Sequence, residues 1–151
     1  MTSKRAKAGD VLEIAAPCGL VYVHYLGSHR QYGHAIAVAT TVHEHPAAIT
    51  PEIFQDSYVT FYPVPSALRQ GLARIAGHLP SPGVPTRLRR PGARRGREIV
   101  TWIIESEHGE ELRQRLSGEE LRIPIASIWN HEYLTESVCE GWRPEMEGRD
   151  G

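Results

Sequence analysis

A chain of 151 residues with 40% hydrophobic and 23% charged side chains has the ordinary make-up of one globular domain. It can bury roughly two thirds of its unfolded surface, so neither a disulfide nor a structural metal is required for folding. The formal net charge of −1 argues against a dedicated nucleic-acid binder, and no run approaches the ~18 apolar residues of a membrane span.

The opening MTSKRAKAGD is polar and basic, without the apolar run of a signal peptide, and residues 1–8 read as a flexible start. Residues 9–16, GDVLEIAA, alternate apolar and polar and predict a strand. The β-branched and aromatic residues 19–26, GLVYVHYL, predict a second, and 34–42, HAIAVATTV, a third. Their connections are short, which favours antiparallel pairing over parallel crossovers. Residues 43–57 read as a loop broken by Pro46 and Pro51, and SYVTFYPV (57–64) as a further strand.

Residues 65–76, PSALRQGLARIA, predict a helix. Ser66 caps it, Leu68, Leu72 and Ile75 share a face, and Gly77 stops it. Residues 79–97, LPSPGVPTRLRRPGARRGR, read as a loop carrying Arg87, Arg89, Arg90, Arg94, Arg95 and Arg97. EIVTWIIES (98–106) is apolar on both faces, as in a central strand. Asn130 then caps a helix over 130–140, Gly141 ends it, and Trp142 folds back on its last turn. Residues 144–151 read as a flexible tail.

The sequence offers little to catalysis. There is no GxSxG elbow, phosphate loop, HExxH or CxxC. Cys18 and Cys139 lie far apart, so two reduced thiols in a cytoplasmic protein are expected. His43 and His45, one residue apart, would share a face on a strand, and His24 and His34 would oppose one another in a hairpin turning at residue 29. Without further ligands in a recognisable pattern these predict no metal centre, and no cofactor is expected.

Charge is uneven along the chain. Residues 1–104 hold 12 Lys and Arg against 6 acidic residues, and 105–151 hold 5 Arg against 12. Glu132, Glu136 and Glu140 are spaced by four along the last helix and line one acidic edge, where like charges repel. That edge, and Arg89, Arg90, Arg94 and Arg95 of the arginine run, are the candidate partner-binding residues. The arginines could grip phosphates, although no aromatics are interleaved for base stacking. They could equally pair with the acidic helix or bind an acidic protein.

Two stretches carry a family likeness. "KAGDVLEIAAPCGLVYVHYLG" and "YVTFYPV" resemble the bacterial immunity protein 26 family, whose members begin with Gly-Asp, a strand, a turn and an aromatic-rich strand. The resemblance covers roughly residues 7–64 and leaves out the arginine run and the last helix. It implies a small cytosolic β-rich protein that binds and blocks a cognate toxin without catalysis, and it brings no catalytic residues. The expected fold is α+β: a curved antiparallel sheet or SH3-like partial barrel with two short helices. The expected function is non-enzymatic protein binding. The alternative is a nucleic-acid-associated or metal-dependent hydrolytic protein using the arginine run and the histidines.

Overall fold

A computed structural model describes residues 5–148. The chain opens with β1 (Asp10–Ala16), β2 (Gly19–His29) and β3 (Gly33–Ala39), followed by β4 (Ser57–Phe61). Helix α1 (Val64–Arg69) leads into β5 (Ala73–His78). These five strands form one antiparallel sheet in the order β4-β3-β2-β1-β5, with β4 and β5 as its edges. The α+β expectation holds, and bulges at Tyr25/Gly27 and Val11/Leu12 bend the sheet.

The Gly-Asp opening has a steric and a polar cause. Gly9 sits at φ 102°, and a Cβ there would come within 2.4 Å of the His78 ring. Asp10 is buried and accepts from the Lys7 backbone N–H, with its other oxygen 3.0 Å from His78 Nδ1. The pair therefore lets the chain pass close beneath the end of β5. Residues 1–4 of the expected flexible start lie outside the described residues.

Alternation sends Leu12, Ile14, Val21, Val23 and Val38 to one face and Val11, Tyr22 and Ala39 to the other. Both faces are covered. The helices close the first, and the segment 43–54, through Ala47, Ile49, Ile53 and Phe54, closes the second.

The helix expected over 65–76 stops at Arg69. Gly71 adopts φ 73°, Gly71 N–H donates to Leu68 O and Leu72 N–H to Ala67 O, a Schellman ending. Residues 73–78 are strand instead, because the open edge of β1 pairs with them, Leu12 opposite Ile75. Gly77 is no helix stop. It leaves room for Ile49, whose Cγ1 would lie 2.8 Å from a Cβ there.

The expected loop over 79–97 also contains regular structure: β6 (Leu88–Pro91) and β7 (Arg94–Arg95). The expected strand 98–106 divides into β8 (Glu98–Ile99) and β9 (Trp102–Ser106), followed by β10 (Gly109–Arg113). Strand β9 is central in a three-stranded sheet ordered β10-β9-β6, and β7 and β8 form a small hairpin. A strap over 123–129 joins the two sheets. Arg89 N–H donates to Pro124 O, Ala126 N–H to Arg89 O and Trp129 N–H to Phe61 O. Helix α2 (His131–Cys139) follows, and Pro144–Met146 is a short 3-10 turn rather than part of a loose tail. Residues 149–151 of that tail lie outside the described residues.

The expectation of two free thiols is overturned. Cys18, in the turn between β1 and β2, is bonded to Cys139, the last residue of α2, across a sequence separation of 121. The fold brings the hairpin turn and the helix end together, which no local pattern in the sequence announces. A cross-link over so long a loop restricts the unfolded chain strongly. Replacing both cysteines by serine is expected to lower unfolding stability by about 3 kcal/mol, measured as a fall in the urea midpoint with an unchanged far-UV spectrum.

Candidate partner-binding surface

Helix α2 is fastened at both ends. Asn130 Oδ1 accepts from Tyr133 N–H at 2.7 Å, capping the start. At the far end Gly141 takes φ 75°, Gly141 N–H donates to Val138 O, and Trp142 N–H donates to Ser137 O. Trp142 thereby stacks edge-on against Trp129 at 4.9 Å and Tyr58 at 5.1 Å, while Tyr133 packs on Trp129 at 4.8 Å. Leu134 and Val138 enter the core.

At about 100° per residue, Glu132, Glu136 and Glu140 fall within about 80° of one another, and Tyr133 falls about 20° beyond them. Leu134 and Val138 point the opposite way. All three glutamates are exposed, as is Tyr133 at 45%. Among the described residues none of these carboxylates forms an ion pair, so the arginine run does not neutralise the edge.

Several other carboxylates are paired. Glu13 meets Arg74, Glu111 and Glu120 meet Arg113, and Asp56 takes both terminal nitrogens of Arg143. The two Arg143 contacts, with a third hydrogen bond from the Thr40 hydroxyl, lower the Asp56 carboxyl to about 2. His131, which opens α2, contributes to architecture. Its Nδ1 lies 2.9 Å from the buried Tyr62 hydroxyl, whose pKa burial pushes up to about 12.

The arginine run separates into three environments. Arg94 and Arg95 are exposed on the β7–β8 hairpin and unpaired among the described residues. Arg90 donates from Nε to Glu105 and from Nη2 to Glu110. Arg89 is fully buried, which removes it from the partner-facing set. Its guanidinium lies 4.4 Å over the Trp102 ring and donates to the carbonyls of Ile123, Leu121 and Pro144. Burial lowers its pKa to about 10, against the opposing pull of Glu147 and Glu145. It acts as a cationic peg through the second sheet.

Sequence reading missed a cleft of about 740 Å³ between the β2–β3 turn and the second sheet. Tyr32 donates to Glu105 at 2.7 Å, and Glu105 also accepts from Arg90. Burial, reinforced by Glu105, raises the Tyr32 phenol to about 12. No spacing could reveal a pair 73 residues apart. The network binds its own members, since Arg90 is committed to two carboxylates and the phenol to one.

The histidines do not gather. The hairpin turns at residue 31 rather than 29, and the bulge in β2 shifts the register by one residue, so His24 opposes Ala37 and His34 opposes Ser28. His24 Nε2 lies 3.0 Å from Leu79 O, and His34 Nδ1 lies 2.8 Å from the Tyr25 hydroxyl. Among the described residues no three His, Cys, Asp or Glu side chains come together in a way that could hold a metal ion. No helix among them is long and apolar enough to cross a membrane.

The chain matches no protein-family model, and comparison with curated proteins and with solved structures found no match.

Two outcomes test this geometry. Arg89→Ala is expected to cost about 3 kcal/mol by stranding buried carbonyls, while Arg94→Ala and Arg95→Ala stay within about 0.5 kcal/mol, all read from urea unfolding. Tyr32 and Tyr62 hold their protons to about 12, whereas an unfolded tyrosine loses its own near 10. The folded state then binds more protons than the unfolded one above pH 10. Stability should therefore fall as pH rises from about 10 to about 12, with a shallower slope in Tyr32→Phe, followed by circular dichroism.

Proposed function

We propose that the chain is a non-enzymatic binding protein that recognises a basic protein surface through the solvent face of α2. In this reading it serves as an immunity protein that neutralises a cognate toxin by direct contact. The observation that supports it most is the unneutralised row Glu132, Glu136 and Glu140, carried on a helix fastened at both ends. Three like charges at four-residue spacing repel by a few tenths of a kcal/mol per pair. A basic partner relieves that repulsion and is steered towards it from a distance.

Tyr133 adds an exposed aromatic beside the row, propped from below by Trp129. Tyrosine so placed, with a polar surround, has the character of an interface anchor. The immunity assignment draws its support from the resemblance over residues 7–64, where Gly9 and Asp10 have a definite structural task.

The disulfide bears on where such a protein works. Bonds of this kind persist in oxidising compartments and are rare in the cytosol. The Cys18–Cys139 bond therefore favours a site of action outside the reducing cytoplasm, against the cytoplasmic expectation. Trapping thiols with an alkylating reagent in intact cells decides between them: two alkylated cysteines place the protein in the cytoplasm.

A second reading rests on Arg94 and Arg95, exposed on their hairpin, as contacts to a nucleic-acid backbone. Binding to DNA or RNA at two salt concentrations tests it, since phosphate contacts weaken steeply with salt.

The protein-binding reading is tested with the product of the adjacent gene and with a pull-down from the native host. The triple variant Glu132→Lys, Glu136→Lys, Glu140→Lys is expected to weaken partner binding by about a hundredfold without loss of fold. An empty pull-down together with no neutralisation of the neighbouring gene product would remove the proposal.

A further inference from the structure

A second concavity, of about 450 Å³, lies between α1, the β2–β3 pair and the segment before β1. Its walls are aliphatic, from Ala6, Val64, Pro65 and Leu68. Its charged rim is of one sign. Arg5 and Arg69 line it, His34 stands with them, and no carboxylate is among the lining residues.

The polar groups differ in how far they are committed. The Tyr25 hydroxyl is occupied, 2.8 Å from His34 Nδ1 and 3.2 Å from Ser28 Oγ. When that hydroxyl donates to Nδ1, the imidazole proton sits on Nε2 and remains available for donation. Arg5 and Arg69 form no ion pair among the described residues, unlike Arg74, Arg90, Arg113 and Arg143. An apolar concavity of a few hundred Å³ with a small number of polar groups is the usual form of a small-molecule site.

We propose that this pocket binds a small amphipathic anion, a carboxylate with an aliphatic tail, whose head is held by Arg69 and Arg5 and whose chain lies on Ala6, Pro65 and Leu68. Charge complementarity selects the head group, because among the described residues an anion meets two guanidiniums without an ion pair and no lining carboxylate. The aliphatic walls select the tail. A nucleotide fits poorly, since of the rings lining the pocket Tyr25 is 6% exposed and His34 packs against it at 5.6 Å, which leaves little face for stacking. The site lies on α1 and the β2–β3 pair, and its existence does not depend on what α2 binds.

The probe is octanoate, titrated into the full chain by calorimetry and by NMR, with octanol, octyltrimethylammonium and acetate as controls. Saturable one-site binding of octanoate is expected, about tenfold tighter than octanol. Acetate should bind more weakly because it lacks the chain, and the cationic amphiphile should not bind. Shifts should centre on Leu68, Ala6 and His34. Arg69→Ala should weaken octanoate by about tenfold and Arg69→Lys by less, because lysine restores a charge but not the fork. Should Arg69→Ala fail to fold, Arg5→Ala carries the same test. Equal affinity for octanol, indifference to both arginine variants, shifts centred elsewhere or absence of saturation would each overturn the proposal.

Discussion

The strap over residues 123–129 is the constraint on which the rest of the molecule depends. It donates from Trp129 to Phe61 on the edge of the first sheet and exchanges bonds with Arg89 on the edge of the second. Two sheet edges that would otherwise expose unpaired backbone groups are thereby closed by one segment. The strap also delivers Trp129 into the core and Asn130 to the start of α2. The position of the acidic edge, the orientation of the second sheet and the cleft between the sheets all follow from it.

Arginine is used in three ways within a few residues. Arg89 is a buried peg that donates from Nε and Nη2 to three carbonyls and lies over the face of Trp102, with no carboxylate in contact among the described residues. Carbonyl dipoles and an aromatic face offset the loss of hydration without a counter-ion. Arg90 is a clasp between Glu105 and Glu110. Arg94 and Arg95 remain in solvent. Of the positive excess in the first two thirds of the chain, Arg74, Arg89 and Arg90 are engaged inside the fold, while Arg5, Arg69, Arg94 and Arg95 form no ion pair among the described residues. The acidic edge of α2 is likewise left unmatched there. That imbalance gives the molecule an acidic face to present to a partner.

The two ends of α2 were legible because caps are local. An asparagine before the helix and a glycine after it determine its limits within a few residues of chain. The strands β1 to β4 were legible for a similar reason, since period-two alternation and β-branched residues are read in short windows. The first helix was over-extended because Leu68, Leu72 and Ile75 fit a helical period equally well. What decided the matter was the open edge of β1, which offered residues 73–78 a ladder of hydrogen bonds.

By itself the sequence determined the α+β class, the central strand of the second sheet, and the helix with its row of glutamates. Each of these rests on interactions between near neighbours. The Cys18–Cys139 bond, the burial of Arg89, the Tyr32–Glu105–Arg90 network and the cationic pocket beside α1 were decided only by the tertiary structure. Every one joins residues separated by many positions. Arg89 and Arg94 have nearly the same local surroundings in the chain, yet one enters the core and the other meets water. Burial is set by which distant surface closes over a side chain, and neither composition nor spacing records that surface.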